Sequence, residues 1–297
     1  MDELFDEIRK AAKNLQKNRY AKTSELIISL AEKLEKQESS LDPGVFQQRI
    51  GPLFDVFKNE FTVSCSIGQS YRRRCFEEVT IMVLKALRSV NDTNNELLAE
   101  TNNFMERMHG VKQSVEPMME LFIRLYAKPT RSNHESSIMF HSACQSYLIT
   151  VEGVFDELAK TLYRFIEVLG EDDPKFKELS SANVWSILRG CKQIFGVHPV
   201  FLENWQEKND IRNAIAHAQA EYRPKENKVH FSSEDSKTKR IYDRTMSFEE
   251  FLAIQFELID AIDSFYYAIE LFRVMNLLAL AYARYSEGRG RKVSGVE

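Results

Sequence analysis

Eight apolar residues, Met139, Ala143, Tyr147, Val151, Val154, Leu158, Leu162 and Phe165, recur at steps of three and four and form one unbroken stripe. Only an α-helix brings such a series onto a single face, so the spacing predicts one long helix over Ser136 to Gly170. Gly170 and the run Asp172-Asp173-Pro174 are the residues that would stop it. The chain of 297 residues holds 11 Gly and 7 Pro, too little punctuation for a fold of many short strands. A mainly α protein is expected.

Similar reasoning organises the rest. Leu4, Ile8, Ala11, Ala12 and Leu15, then Leu26, Ile27, Leu30 and Leu34, predict one or two amphipathic helices over 2 to 36. Ser39 to Gly44 reads as a turn, Val45 to Lys58 as a helix interrupted at Gly51-Pro52, and Phe61 to Ile67 as a short alternating strand. Helix resumes from Ser70 to Arg88 and after Thr93, whose spacing to Glu96 fits a capping box; another apolar helix covers Val115 to Tyr126. Val184 to Phe195 reads as a short helix closed by Gly196, with Pro199 opening the helix that runs to Ala220. Lys228 to Phe231 and Arg240 to Asp243 read as a β-hairpin. Ser247 and Glu250 then form a capping box at the head of a helix of about forty residues ending near Ser286.

The polar segment Ala127 to Glu135, which contains Pro129, separates two helical blocks. The expected organisation is a helical N-terminal region over 1–128, a linker over 129–135, a second domain over 136–286 and a flexible basic tail over 287–297. The formal net charge of −4 supplies no global attraction for nucleic acid, so any such contact must be local. Cys65, Cys75, Cys144 and Cys191 show no metal-finger spacing and read as reduced thiols. The acidic start MDELFDEIRK is unlike a signal peptide, and no window reaches about 18 uncharged apolar residues, so a cytoplasmic protein that does not cross a membrane is expected.

Chemistry is concentrated in RNAIAH, Arg212 to His217. An imidazole can exchange a proton near neutral pH, and a guanidinium can clamp a phosphate through its fork of donors. Together they suit phosphodiester chemistry without a metal or cofactor. On a helix Asp210, Asn213 and His217 share a face, whereas Arg212 lies about 140° from His217, so a two-fold dimer offers a way to complete one cleft from two copies. The plainer alternative is that Arg212 and His217 are structural polar partners. Arg223 and His230 have similar spacing, but Pro224 places them across a turn.

The run NDIRNAIAHAQAEY, Asn209 to Tyr222, resembles the signature of the HEPN superfamily: Arg, a polar residue, spacers and His on the third helix of a four-helix bundle. The succession of long helix, short helix, motif helix and long terminal helix is similar too, and the resemblance covers about Ser136 to Ser286. It implies a HEPN-like bundle with a β-hairpin insertion. It also implies a metal-independent endoribonuclease acting as a homodimer, in the manner of toxins and antiviral-defence effectors, with RNA as substrate and an antitoxin or sensor protein as partner. Under the resemblance, His217 is the general acid or base at the 2′-hydroxyl or the leaving 5′-oxygen, Arg212 binds the scissile phosphate, Asn213 orients it, and the products end in 2′,3′-cyclic phosphate. Some members are noncatalytic, which leaves a helical adaptor mediating dimerisation or partner binding as the alternative. A subgroup carries a tyrosine two residues after the histidine that partner enzymes modify; Gln219 stands there, so that control is not expected.

Spacing also suggests that Asp210 supports His217. Arg72, Arg73 and Arg74 form a secondary candidate for RNA contact, against a solvated helix face. His134 and His141 lie seven apart with no further ligand to complete a metal site, and the helix is expected to start between them. Phe265, Tyr266, Tyr267 and Phe272 could stack bases but fit a core face better. Arg289, Arg291 and Lys292 in the tail are either RNA contacts or solubilising charges.

Overall fold

The computed structural model describes residues 2–17, 20–36, 43–63, 69–88, 95–155, 158, 161–162, 192–193, 196, 200–234 and 239–293. The protein is mainly helical with one three-stranded antiparallel sheet. It divides into two compact units, one of 1–80 with 267–297 and one of 81–266.

In the first unit, α1 (Asp2–Lys17) and α2 (Ala21–Glu35) follow the expected stripes, burying Leu4, Ile8, Ala12 and Leu15, then Ile27, Leu30 and Leu34. The N-terminus of α2 has no side-chain cap of its own. Glu60 of α3 (Pro43–Val63) caps it instead, accepting from the Lys22 and Thr23 amides at 2.9 Å and from Thr23 Oγ1 at 2.6 Å. A carboxylate there satisfies orphan amides and meets the positive end of the helix dipole. Pro52 lies inside α3, so the expected interruption at Gly51-Pro52 is absent. Phe61–Val63 is helical too, which corrects the predicted strand over the part of 61–67 that is described.

Packing explains the correction. Phe61 stacks in a cluster with Tyr20, Phe57, Phe76 of α4 (Gln69–Arg88) and Tyr267, with centroid separations of 4.8 Å to Phe76 and 5.8 Å to Tyr267. Helical spacing puts Phe57 and Phe61 on one face, whereas a strand would spread these rings apart.

The second unit contains α5 (Asn95–Tyr126), continuous through Pro117 where two helices were expected. A short connection then leads to α6 (Asn133–Leu148), so the segment 127–135 lies inside this unit. Ser132 and Glu135 form a full capping box. Glu135 also accepts from Lys128 at 2.5 Å, and this bond, with those from Ser132, lowers its pKa to about 2. Because α6 starts at Asn133, His134 and His141 both belong to it, contrary to the expected start between them.

The predicted long helix continues from α6 as a π-helical segment, Ile149–Phe155. Met139, Ala143, Tyr147, Val151, Leu158 and Leu162 of its stripe are buried. The side chains of Val154 and Phe165, the stop after Gly170, the helix over 184–195 apart from Lys192 and Gln193, the capping residue Thr93, the turn 39–42, and Cys65 and Cys191 lie outside the described residues. Of the other cysteines, Cys75 and Cys144 are buried.

The motif helix, α7 (Trp205–Ala216), is shorter than expected at both ends. A 3-10 turn, Val200–Leu202, precedes it. After it the chain turns into β1 (Ala220–Arg223), β2 (Lys228–Glu234) and β3 (Ile241–Ser247), in the order β1-β2-β3. The predicted hairpin is thus two strands of three; β1 replaces sequence read as the end of a helix and what followed it. Val229 and Phe231 of β2 point into the core, Phe231 packing 5.2 Å from Phe251.

The last helix, α8 (Phe248–Val293), begins at the expected capping box: Glu250 N donates to Ser247 Oγ at 3.1 Å, and Ser247 N to Glu250 Oε2 at 2.7 Å. It runs on through 293, so most of the expected flexible tail is helical. Phe265 and Tyr267 are buried, as a core face requires. Within Phe248–Ser286 one window reaches a mean hydropathy of 1.2, long and apolar enough by composition to cross a membrane; half of it is buried within the protein, as in a core helix.

Candidate functional site

The residues of the RNAIAH stretch sit at the C-terminal end of α7, and the way that helix ends decides where His217 stands. His217 is the C-cap residue, its amide donating to Asn213 O at 3.0 Å. Ala218 follows with φ of 55°. Its amide donates to Ile215 O at 3.1 Å, and Gln219 N donates to Ala214 O at 2.7 Å. These two bonds and the left-handed residue between them make a Schellman cap, with alanine where glycine is usual. The imidazole of His217 is therefore exposed just past the last turn, at the point where the chain reverses into β1.

Arg212 is half-buried one turn earlier. Its Nη1 donates to Asn213 Oδ1 at 2.9 Å, and its Nη2 meets Glu152 Oε1 of the π-helical segment at 2.6 Å. Both of its bonds thus go to oxygens that hold the guanidinium plane in one orientation. The pair is open to solvent, with Arg212 36% and Glu152 48% exposed, so an incoming anion can compete for the guanidinium at small cost. Asn213 orients the guanidinium itself, a role its place after the arginine did not reveal.

Asp210 does not support His217. It is buried and accepts from Gln206 Nε2 at 3.2 Å and from Arg240. Arg244 pairs with Glu207, and Tyr242 Oη lies between these arginines in sequence and donates to Glu207 at 3.5 Å. Residues 240, 242 and 244 fall on one face of the β3 edge by the two-residue strand period, and Glu207 and Asp210 fall on one face of α7 by the helical period. The sheet therefore clamps the helix by charge. Burial pushes the Tyr242 hydroxyl up to about 12, which keeps it a neutral donor to Glu207. Ser233 Oγ donates to Asp210 O at 3.3 Å, and Tyr147 Oη to Lys208 O at 2.9 Å. Lys208, almost wholly buried, reaches Glu203 O at 3.1 Å and Glu257 at 3.4 Å. These bonds at Glu207, Lys208 and Asp210 fasten α7, and they leave Arg212 half-buried and His217 exposed.

Of the secondary candidates, Arg72 is buried, stacking 4.0 Å over the Phe61 ring and donating to Phe61 O at 3.0 Å. That corrects its reading as part of an exposed basic triplet. Arg73 and Arg74 are exposed and pair with Glu77 and Glu78 one turn on, the solvated-face arrangement. Among the described residues no three His, Cys, Asp or Glu side chains gather as a metal site would require. Glu152 was missed in the sequence because nothing local links it to a residue sixty positions away; the alternation Arg240, Tyr242, Arg244 opposite Glu207 and Asp210 was a legible signal left unread.

Compared with protein-family models, with curated proteins and with solved structures, the chain matches none.

Proposed function

We propose that the protein is a metal-independent endoribonuclease of HEPN type, a toxin or antiviral-defence effector of the cytoplasm, with RNA as substrate and a cleft completed by a second copy of the chain. The observation that carries this reading is the joint arrangement of an exposed imidazole at the end of α7 and a guanidinium one turn earlier that is already oriented by Asn213 and Glu152. The order of α6, α7 and α8 around it adds support.

In the proposed reaction the RNA 2′-oxygen attacks phosphorus, forming the O2′–P bond as the P–O5′ bond breaks. His217 takes the proton from the 2′-hydroxyl or gives one to the leaving 5′-oxygen, and the other proton passes to or from the second copy's imidazole or water. A nonbridging phosphate oxygen displaces Glu152 from Arg212, and the guanidinium then faces the charge that grows in the transition state. Since Arg212 and His217 diverge around the helix by about 140°, the second copy supplies the group that one copy cannot bring to the same phosphate.

The test incubates the purified protein with total RNA and with tRNA in EDTA, beside His217→Ala and Arg212→Ala. Cleavage that survives EDTA, ends in 2′,3′-cyclic phosphate and is lost in both variants is the expected result. Products ending in a 5′-phosphate, or variants that cut like wild type, overturn it. One observation favours the adaptor reading: the Arg212–Glu152 bridge is a complete ion pair without any substrate. Under that reading neither variant changes RNA, and both weaken self-association.

A further inference from the structure

Within the second unit a groove of about 440 Å³ runs between α5 and α8, walled on one side by Met108, Val111, Val115, Met119 and Ile123 and on the other by Phe256 and Ile259. Met108 and Ile123 are fifteen positions apart, so the α5 wall spans about 22 Å at 1.5 Å per residue, and the facing wall from Phe256 to Asp263 spans about 10 Å. The groove opens to solvent, with Ile123 55% exposed. Three carboxylates, Glu116, Glu120 and Asp263, line it, and among the described residues no lysine or arginine does. Glu116 and Glu120 are exposed.

Along the α5 wall Met108, Val111, Val115, Met119 and Ile123 recur at steps of three and four, the ridge pattern against which a partner helix packs. The acidic lining selects basic flanks on that helix, which a neutral or acidic segment lacks. We propose that this groove docks a basic amphipathic helix of a partner protein.

The groove also abuts the candidate site. Thr150 of the π-helical segment lines it, and a Cβ on Gly153 would stand 3.3 Å from Val111 Cγ2, so the groove wall packs directly against the residue next to Glu152. A helix wedged against Val111 presses on the segment that holds Arg212, which would let a partner set the activity. That link rests on the reading of Arg212 and His217 as an RNA site; the docking does not.

The probe is a fifteen-residue Leu/Lys peptide with leucines at i, i+3, i+4 and i+7, titrated into the full chain by fluorescence anisotropy at low salt. A peptide of the same composition with the leucine stripe scrambled is the control. Saturable one-to-one binding of the patterned peptide is expected, with the scrambled one bound far more weakly. The exposed, fold-neutral variant Glu116→Gln/Glu120→Gln should weaken binding about tenfold, and Ile123→Ser about fivefold.

Equal binding of both peptides, or binding that neither variant weakens, overturns the groove as a helix dock. So does self-association of the chain that Ile123→Ser abolishes while the peptide fails to bind, since the occupant is then a second copy. Saturating peptide should also change the rate of RNA cleavage in wild type; an unchanged rate with intact binding overturns the link to Arg212 alone. Absence of cleavage altogether contradicts the RNA reading and leaves the docking result standing.

Discussion

Asp210 and Arg212 lie two residues apart on α7, each in an ion pair with a distant part of the same unit, yet the pairs differ in kind. Asp210 has a side chain only 6% exposed and is held by Arg240 with Gln206 beside it. Arg212 and Glu152 are both open to water. A buried carboxylate that loses its cation has no solvent to turn to, whereas an exposed pair exchanges readily with water, salt or a phosphate. The same helix is thus fastened to the sheet on one side and presents an exchangeable cation on the other. Fixed charge next to exchangeable charge is how a fold holds a reactive group still while leaving it accessible.

The largest effect that would sharpen this contrast is on catalysis. Under the proposed function, His217→Ala should lower RNA cleavage by about 100-fold or more, the scale of a lost general acid or base, with the melting temperature almost unmoved because His217 is exposed. A melting temperature that falls with activity in this variant would mean that His217 belongs to the fastened side.

Next in size is Arg240→Ala, which leaves Asp210 buried with Gln206 alone. A loss of about 2 kcal/mol in denaturant unfolding is expected, below the full cost for a wholly buried pair because Arg240 is itself half-exposed. Loss under 0.5 kcal/mol, the scale of exposed pairs, would erase the distinction.

Ala218→Gly should stabilise by about 0.5 kcal/mol. It relieves a left-handed alanine at φ of 55°, offset in part by the extra freedom of glycine in the unfolded chain. Destabilisation in thermal melts would show that the Schellman cap after His217 does not form as described. Smaller still is Glu152→Gln, expected to shift stability by at most about 0.5 kcal/mol. By freeing Arg212 it should tighten RNA binding, measured by filter retention.

Acid offers a check in another part of the unit. The bond from Lys128, with those from Ser132, holds the Glu135 carboxyl at about 2, below its unfolded value of 4.5. A depressed pKa stabilises the folded state fully above the unfolded value, and that contribution drains away as pH falls from about 5 toward 2. Glu135→Gln should therefore flatten the acid side of the stability curve across that window. An unchanged acid limb would show that the capping box and its lysine do not act together.

How far the sequence foretold these features depends on the range of the interactions. Stripes and caps are local, so α1, α2, the buried run from Met139 to Leu162 and the Ser247–Glu250 box were all legible. The segment Phe61 to Val63 alternates like a strand, but ring packing with Phe76 and Tyr267, far away in sequence, decides for helix. The end of α7 was hidden because Ala218 takes a conformation that glycine normally announces. Arg212, Asn213 and His217 could be singled out from their types and spacing, and the alternation of Arg240, Tyr242 and Arg244 is legible too, while Glu152 and the burial of Arg72 depend on tertiary contacts with no local mark. Asp210 was misassigned for the same reason: helical spacing puts it on the face of His217, and the sheet pulls it elsewhere.

The most direct measurement compares Arg212→Ala with Arg240→Ala, recording the melting temperature and EDTA-resistant RNA cleavage on the same preparations. Arg212→Ala should melt like wild type and fail to cut, and Arg240→Ala should melt several degrees lower and still cut below its transition. The contradicting result is the reverse, with Arg212→Ala unfolding as readily as Arg240→Ala while its cleavage of RNA stays intact.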